Sequence, residues 1–445
     1  MIQPKIKETI KKVNIRLVIG VYIIVFTISP FIKQATSSFL TTYFYMVIAV
    51  ITVAFTFITC GLKDIKDFVF LLAPFVLFQA LEMITSDAER MLLLGYQILL
   101  FMLPVCLGFY IIRNSEKNGR GNLKVFSAFI ILAFSVTVVT TVIGCINNPN
   151  AARLLATTAT SQDSTAVKFN WQNIGGFSFV YSCTLLYPLV VLGFKQKKIP
   201  LFFVILFAVA EFVLAVNTEY TISLMLILFS SLMFLLPRDL TPKQFIIISV
   251  VGLVVVITFS SLVAVLMDHI GNLIGNKIMA EKMSSVFSGR EAMEAMEDRR
   301  MVRYMTSVET FLKNPLFGCF TDGNFKSKIG GHSFILDNLA KYGVIGITLM
   351  FFMYKQIFKM FYKPLANIMG FGFVTWLFVQ PIVLSALNPG MWLDNLCLFA
   401  PILLITIFGV EKKNESALDR KYGAGTDQLK IKSKAGQRPV DERVS

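Results

Sequence analysis

His332 is the residue of this chain best suited to proton transfer near neutral pH. It is one of only two histidines among 445 residues, and it lies in a turn of small residues, 330–333, directly before a long apolar segment. Imidazole has an ordinary pKa of about 6.5, so it takes up and releases protons in this range. The position suits chemistry on a substrate that protrudes from a membrane. The simpler interpretation is a turn histidine whose ring is hydrogen-bonded to a neighbouring backbone group.

Arg290 begins a predicted helix on its apolar side. The helix is predicted over residues 291–313 and ends at Asn314-Pro315, because proline disfavours helical geometry in the residue before it. A charge on an apolar face needs a partner, which makes Arg290 a better site candidate than an arginine that faces solvent. The apolar side is formed by Met301, Met305, Val308, Phe311 and Leu312, with Met293 and Tyr304 at its margin. Three arginines project to another side, where solvent or lipid headgroups are simpler partners; they are Arg299, Arg300 and Arg303.

Two acids lie near His332 in the sequence, Asp322 and Asp337. Either carboxylate could orient the imidazole or bind substrate hydroxyls, although such residues more often only solvate a loop or a helix end. The six cysteines are scattered without the CxxC spacing of metal and redox sites. We therefore expect no metal and no cofactor.

The elements that must position these residues are membrane-spanning helices. Hydrophobic residues make up 55% of the chain and charged residues only 16%, with a mean hydropathy of +0.68. This is more apolar surface than one soluble core can bury. Barrel strands alternate polar and apolar residues, which these apolar runs do not. The sequence therefore predicts an all-α integral membrane protein.

About twelve transmembrane helices are predicted, since each crossing takes about 20 apolar residues. The pair on either side of residues 217–219 is the least distinct, because one re-entrant element there would move every later loop to the other side. The predicted spans are 15–32, 39–61, 68–84, 91–112, 123–146, 171–194, 199–217, 220–236, 243–267, 333–357, 366–387 and 391–410.

The placement of lysine and arginine predicts that both termini are cytoplasmic. With that orientation, 28 of the 42 basic residues lie on the inner side, where positive charge is retained. The net charge of +15 follows from this bias and from a basic outer loop, so no nucleic-acid partner is expected. The predicted regions are a bundle of nine helices (1–267), a large extracytoplasmic loop with amphipathic helices (268–332), three further helices (333–410) and a disordered cytoplasmic tail (411–445).

Three short motifs surround the candidate residues. They are Ser288-Gly289-Arg290, Asn314-Pro315-Leu316-Phe317-Gly318, and His332-Ser333 followed after nine residues by Gly343-Val344-Ile345-Gly346. Together they resemble the O-antigen polymerase and O-antigen ligase superfamily of polysaccharide-assembling membrane enzymes. A less specific similarity, to capsular polymerases of Gram-positive bacteria, lies in Asn173-Ile174-Gly175-Gly176-Phe177 with Tyr187-Pro188.

The resemblance implies transfer of a glycan from undecaprenyl diphosphate to an acceptor hydroxyl at the outer face of the bacterial cytoplasmic membrane, without a metal or a nucleotide sugar. His332 matches the motif histidine, which would accept the proton of the acceptor hydroxyl or hold that hydroxyl in place. Arg290 matches the loop arginine that binds diphosphate. The family has at least one more essential arginine, for which the candidates here are Arg303, Arg299, Arg300 and Arg153.

The chemistry supports this assignment independently of the resemblance. A diphosphate leaving group gains negative charge as the sugar–oxygen bond breaks, and guanidinium groups pair with phosphate oxygens through two parallel hydrogen bonds. A base on the opposite side of the anomeric carbon activates the incoming hydroxyl, which predicts inversion at that carbon.

The predicted function is a polymerase that joins lipid-linked repeat units of a capsule, exopolysaccharide or O-antigen. Its partners would be the undecaprenyl-diphosphate-linked oligosaccharide and membrane lipid, and the binding of a flippase or a chain-length regulator stays open. A ligase that moves the finished glycan to another acceptor is the nearest alternative. A lipid-linked oligosaccharide flippase is an alternative from a different class, and a transporter would use Glu211 and Glu82 as a proton relay.

Overall fold

Helices form all the regular structure that the computed structural model describes, which confirms the all-α class. The described residues are 15–39, 42–59, 62–84, 102–113, 121–148, 151–157, 164–218, 220–232, 244, 247, 269, 292–320 and 325–408. The helices are α1 (Ile15–Ile28), α2 (Pro30–Phe39), α3 (Thr42–Thr59), α4 (Leu62–Ile84), α5 (Met102–Arg113), α6 (Gly121–Asn147), α7 (Ala151–Thr157), α8 (Ser164–Trp171), α9 (Phe177–Lys195), α10 (Leu201–Thr218), α11 (Thr221–Leu232), α12 (Ala292–Lys313), α13 (Phe334–Ile357), α14 (Lys363–Met369), α15 (Phe371–Leu387) and α16 (Ala400–Phe408). A 3-10 turn (Phe325–Lys328) and two π-helical turns (Phe358–Tyr362 and Asp394–Phe399) complete the list.

Four helical stretches of the described chain are long and apolar enough to cross a membrane: α6, α9, α10 and Phe334–Ala366. A fifth span results if α1 and α2, which are bent by 111° relative to each other, are counted as one. Length and composition therefore indicate a membrane protein. The total of about twelve spans stays a prediction, and the span at 243–267 falls almost wholly outside the described residues.

Two predicted spans begin later than expected because a turn precedes each of them. The span predicted from 171 begins at Phe177, after a turn in which Asn173 adopts a positive φ of 55°. The span predicted from 366 begins at Phe371, after Gly370 with a φ of 89°. Both residue types tolerate this left-handed geometry, which apolar periodicity does not reveal.

The Asn173 side chain joins the break between α1 and α2 to the middle of α6. Its Oδ1 accepts from the Ser29 hydroxyl at 2.8 Å, and its Nδ2 donates to the hydroxyls of Thr137 and Thr140, both at 3.1 Å. The Thr140 hydroxyl in turn donates to the Asn173 carbonyl at 2.8 Å. The motif at 173–177 is thus a structural junction between three helices in this fold.

The residues around the predicted outer loop are described in part. α12 begins at Ala292 and ends at Lys313, which confirms the helix predicted over residues 291–313. Its C-terminal half and the start of α13 form the region where the candidate residues meet. The predicted tail, 411–445, lies outside the described residues.

Candidate functional site

His332 and Arg303 meet where α12 packs against the start of α13. The guanidinium Nη1 of Arg303 is in hydrogen-bond contact with Nε2 of His332. Arg303 is exposed and His332 is partly buried, so a substrate can reach both side chains. Of the four candidates for the second arginine, Arg303 is the one whose side chain the structure describes, and it lies against the histidine.

The guanidinium next to the ring favours one tautomer of the imidazole. A guanidinium group has five N–H donors and no acceptor, so the ring nitrogen facing it must be the acceptor. For a neutral ring, this contact is a hydrogen bond only when Nε2 carries the lone pair and Nδ1 carries the hydrogen. A neutral imidazole is the form that can act as a base.

Asp337 holds the backbone on both sides of His332. Its Oδ1 accepts from the Gly331 amide at 3.2 Å, and its Oδ2 accepts from the Ser333 amide at 3.1 Å. The Ser307 hydroxyl of α12 also donates to Oδ1, at 2.7 Å. The carboxylate thus fixes the turn around the histidine and ties it to the helix that bears Arg303. These contacts match the simpler interpretation of Asp337, in which its carboxylate stabilises a turn and a helix start, and a direct role toward the imidazole or a substrate hydroxyl stays a prediction.

Ser333 begins α13 immediately after the histidine. The Ser333 hydroxyl accepts from the Leu336 amide at 3.0 Å, which is the usual capping bond at a helix N-terminus. Ser333 itself is fully buried. The His-Ser pair in the sequence therefore has a structural explanation, since the serine caps the helix that places the histidine at its entrance.

α12 presents its polar side to the turn that precedes His332. Ser307, which is fully buried, accepts from the Gly330 amide at 2.9 Å. Thr310, one turn further along, donates to the Lys328 carbonyl at 2.6 Å. Gly330 also packs directly on the backbone of Arg303, where a Cβ would lie only 2.0 Å from the carbonyl oxygen. These contacts bring the turn close enough for the two side chains to meet.

The apolar side of α12 points away from the protein. Met301, Met305 and Leu312 are 57%, 46% and 69% exposed. Exposed apolar side chains of this kind suit a position at a membrane surface, where lipid can cover them. Packing within the protein uses the opposite, polar side, where buried hydroxyls find hydrogen-bond partners.

The glycines at 318 and 343 allow the turn after α12 to lie directly against the backbone of α13. Gly343 interrupts α13 with a φ of 62° and a ψ of −154°, and a Cβ there would lie 2.4 Å from the Leu316 carbonyl oxygen. Gly318, with a φ of 69°, approaches the carbonyl of Lys341 in the same way. Backbone hydrogen bonds from Val344 to Pro315 (2.9 Å) and from Cys319 to Ala340 (3.0 Å) close the contact. The motif at 314–318 therefore braces the start of α13.

The loop after α15 also contacts both elements of the site. The Asn388 carbonyl accepts from the Phe334 amide, and the Leu387 carbonyl accepts from the Tyr304 hydroxyl, both at 3.0 Å. Neither this loop nor Ser307 was predicted from the sequence. The position of Ser307, one helical turn after Arg303, was the available signal, but a lone serine does not indicate its partner.

For the other predicted residues, the structure describes either the helix alone or nothing. Arg290 and Asp322 fall outside the described residues. Arg299 and Arg300 belong to α12, and Arg153 belongs to α7, without a description of their side chains. Convergence of Arg290 with His332 therefore stays a prediction.

Comparison with known proteins assigns no family. No protein-family model matches this chain, and no curated protein matches it. The function is therefore inferred from the residues and their geometry.

Proposed function

We propose that this protein is a glycosyltransferase that transfers a glycan from a polyprenyl diphosphate to an acceptor hydroxyl. The observation that supports it most is the contact between the exposed guanidinium of Arg303 and Nε2 of His332. A planar cation for the phosphate oxygens and a neutral base for the acceptor hydroxyl are the two groups that such a transfer requires. Within the same family of reactions we propose a polymerase, which joins lipid-linked repeat units of a capsule, exopolysaccharide or O-antigen.

In the proposed reaction, the oxygen of the acceptor hydroxyl forms a bond to the anomeric carbon as the bond from that carbon to the diphosphate oxygen breaks. His332 takes the proton of the hydroxyl on Nε2. The electron pair of the broken bond leaves with the polyprenyl diphosphate, and arginine stabilises the added negative charge. Attack opposite to the leaving group inverts the configuration of the anomeric carbon.

The same contact suggests how donor binding prepares the base. Arg303 donates to the Nε2 lone pair, so this nitrogen can take a substrate proton only after the guanidinium turns to another acceptor. A diphosphate offers stronger acceptors than a neutral imidazole does. Binding of the donor would therefore draw Arg303 away and leave Nε2 for the acceptor hydroxyl. Arg290 would contribute a second guanidinium.

The proposal includes the location and topology predicted from the sequence. The site would lie at the outer face of a bacterial cytoplasmic membrane, within a bundle of about twelve helices whose two termini are cytoplasmic. The exposed apolar side of α12 supports a position at the membrane surface, where the lipid-linked donor carries its diphosphate.

The main test is complementation of a deletion strain with His332→Ala and Arg303→Ala. Each variant should abolish long polymer while the protein still reaches the membrane. Lys313→Ala is the matched control, because Lys313 is an exposed cation on the same helix and should support full polymer length. Normal polymer in both site variants would falsify the proposal.

The accumulated intermediate separates the alternatives. Loss of a polymerase leaves single lipid-linked units at the outer face, whereas loss of a ligase leaves long lipid-linked chains. Loss of a flippase leaves single units at the inner face.

Glu211, the proton-relay candidate of a transporter, is buried beside the Thr184 hydroxyl at 3.4 Å. Hydrogen bonds of this kind between helices are common within membranes, so this contact does not by itself indicate a proton relay.

A further inference from the structure

The loop at residues 388–395 follows α15, includes the start of the π-helical turn (Asp394–Phe399) and borders the His332–Arg303 pair. Its first residue, Asn388, accepts a hydrogen bond from the amide of Phe334, which is two residues beyond His332. The preceding residue, Leu387, accepts from Tyr304, the neighbour of Arg303 in α12. The loop is therefore held by its backbone to both elements of the proposed transfer site.

Three buried polar atoms of this loop have no hydrogen-bond partner among the residues that the structure describes. They are Nδ2 of Asn388, Nε1 of Trp392 and Oδ1 of Asn395. The three residues are 5%, 8% and 2% exposed. Most buried polar side-chain atoms in folded proteins have a partner, so two donors and one acceptor within one short loop are unusual.

Trp392 is held in a strained conformation among aromatic rings. Its φ is 54°, a value that bulky residues rarely adopt and that often marks a functional position. The ring centroid of Trp392 lies 5.7 Å from that of Phe177 and 5.5 Å from that of Tyr181. Tyr220 stacks on Tyr181 at 5.5 Å. The loop thus combines polar atoms that have no hydrogen-bond partner with a group of packed aromatic rings, here called the aromatic wall (Phe177, Tyr181, Tyr220 and Trp392).

We propose that loop 388–395 is the subsite that binds the acceptor sugar, an inference that rests on the proposed transferase function. A sugar has hydroxyls that both donate and accept hydrogen bonds, together with an apolar C–H face. The N–H groups of Asn388 and Trp392 match hydroxyl oxygens, the Asn395 carbonyl matches a hydroxyl hydrogen, and the aromatic wall matches the C–H face. A sugar bound there would have a neighbouring hydroxyl close to His332.

Binding requires this loop to move, because each of the three polar atoms exposes less than 1 Å² to solvent. Leu387 and Pro389, on either side of Asn388, are exposed, so this end of the loop lies at the protein surface.

Two substitutions separate a role in sugar binding from a role in folding. Trp392→Phe and Asn388→Leu each remove a donor that has no partner in the described protein, while they keep most of the side-chain volume. Removal of an unpaired buried donor leaves the fold as stable as before or more stable. The same removal weakens sugar binding by about three- to tenfold for each hydrogen bond lost.

The experiment uses the full chain purified in detergent and lipid-linked repeat units extracted from membranes of a deletion strain. Initial transfer rates should give an apparent KM that rises about three- to tenfold in each variant. The kcat and the melting temperature should stay at the wild-type level. Trp171→Phe is the matched control, since Trp171 is 41% exposed at the end of α8, and its KM should not change.

The possible outcomes distinguish the two proposals. An unchanged KM in both loop variants, or a fall in their melting temperature, overturns the proposed subsite. Transfer by the wild type would still support the proposed transferase function. Absence of transfer by the wild type, or full transfer by His332→Ala, overturns the proposed function and the subsite with it.

Discussion

Single residues at this site divide into those that would react and those that hold them in place. His332 and Arg303 are accessible, whereas Asp337 uses both carboxylate oxygens on the turn and on α12. The sequence made His332 the leading candidate, because it is one of two histidines and directly precedes a long apolar segment. It could not select Arg303 among four arginines, because its partner lies on another segment of the chain. The supporting role of Asp337 depends on contacts within the turn that spacing alone does not define.

Asp337→Asn should lower both stability and transfer. Asparagine retains one acceptor oxygen, so either the Gly331 side or the Ser333 side of the turn loses its hydrogen bond. A hydrogen bond to a charged group contributes about 1.5–3 kcal/mol. We expect a lower melting temperature and a lower kcat, with KM for the lipid-linked unit nearly unchanged. An equal loss of transfer in Asp337→Glu would argue against positioning, because glutamate keeps both oxygens.

Arg303→Lys should fail to restore activity even though the charge is kept. Lysine offers a single ammonium group, whereas the guanidinium fork can pair with two phosphate oxygens at once. We expect a loss of transfer of about tenfold or more, measured as the initial rate with saturating lipid-linked units. Full activity in the lysine variant would show that only the charge is needed.

At the scale of helices, the sequence predicted the position of α12 but not the neighbours of its two faces. The period of apolar residues gave the helix over 291–313, and the structure begins it at Ala292. In a membrane protein, lipid covers an apolar helix face as readily as protein does. The spacing of apolar residues therefore could not show which side of α12 packs against the rest of the protein. The packing contacts of Ser307 and Thr310 identify it. The kink at Gly343 also had no signal in the spacing of the apolar residues.

Gly343→Ala should destabilise the protein more than Gly331→Ala. The φ and ψ of Gly343 belong to a region that only glycine adopts readily, and its Cβ would clash with the carbonyls of Pro315 and Leu316. Gly331 has a positive φ of 73° but open space around it. Strain alone costs about 1–3 kcal/mol, so the clash makes the Gly343 variant the worse of the two. Melting temperatures should rank Gly343→Ala below Gly331→Ala, and Gly331→Ala below Gly121→Ala, which has open space and no positive φ. The reverse order for the first two would show that the backbone contact at 315–316 is dispensable.

For the whole molecule, composition gave the class and the charge bias gave an orientation. The described helices agree with a membrane protein and include four or five candidate spans. A full count depends on segments outside the described residues and on turns such as the one at Asn173, which shift where a helix begins without altering the apolar run.

Thiol labelling of intact cells tests the predicted orientation. Ser327→Cys, at an exposed residue near the site, should react with a membrane-impermeant maleimide added outside. Lys197→Cys, at an exposed residue between α9 and α10, should react only after the membrane is permeabilised. The five native cysteines in the described chain are buried, and Cys60 is replaced by serine to remove background. Labelling in the opposite pattern would place His332 on the cytoplasmic side.

The chain leaves the site at Cys319 and returns at Lys328, and both points are anchored. Cys319 donates to the Ala340 carbonyl at 3.0 Å, and Lys328 accepts from the Thr310 hydroxyl at 2.6 Å. A connection with fixed ends can gain or lose residues at little energetic cost to the rest of the fold. A change in the length of the connection between Cys319 and Lys328 should therefore leave the contact between His332 and Arg303 in place.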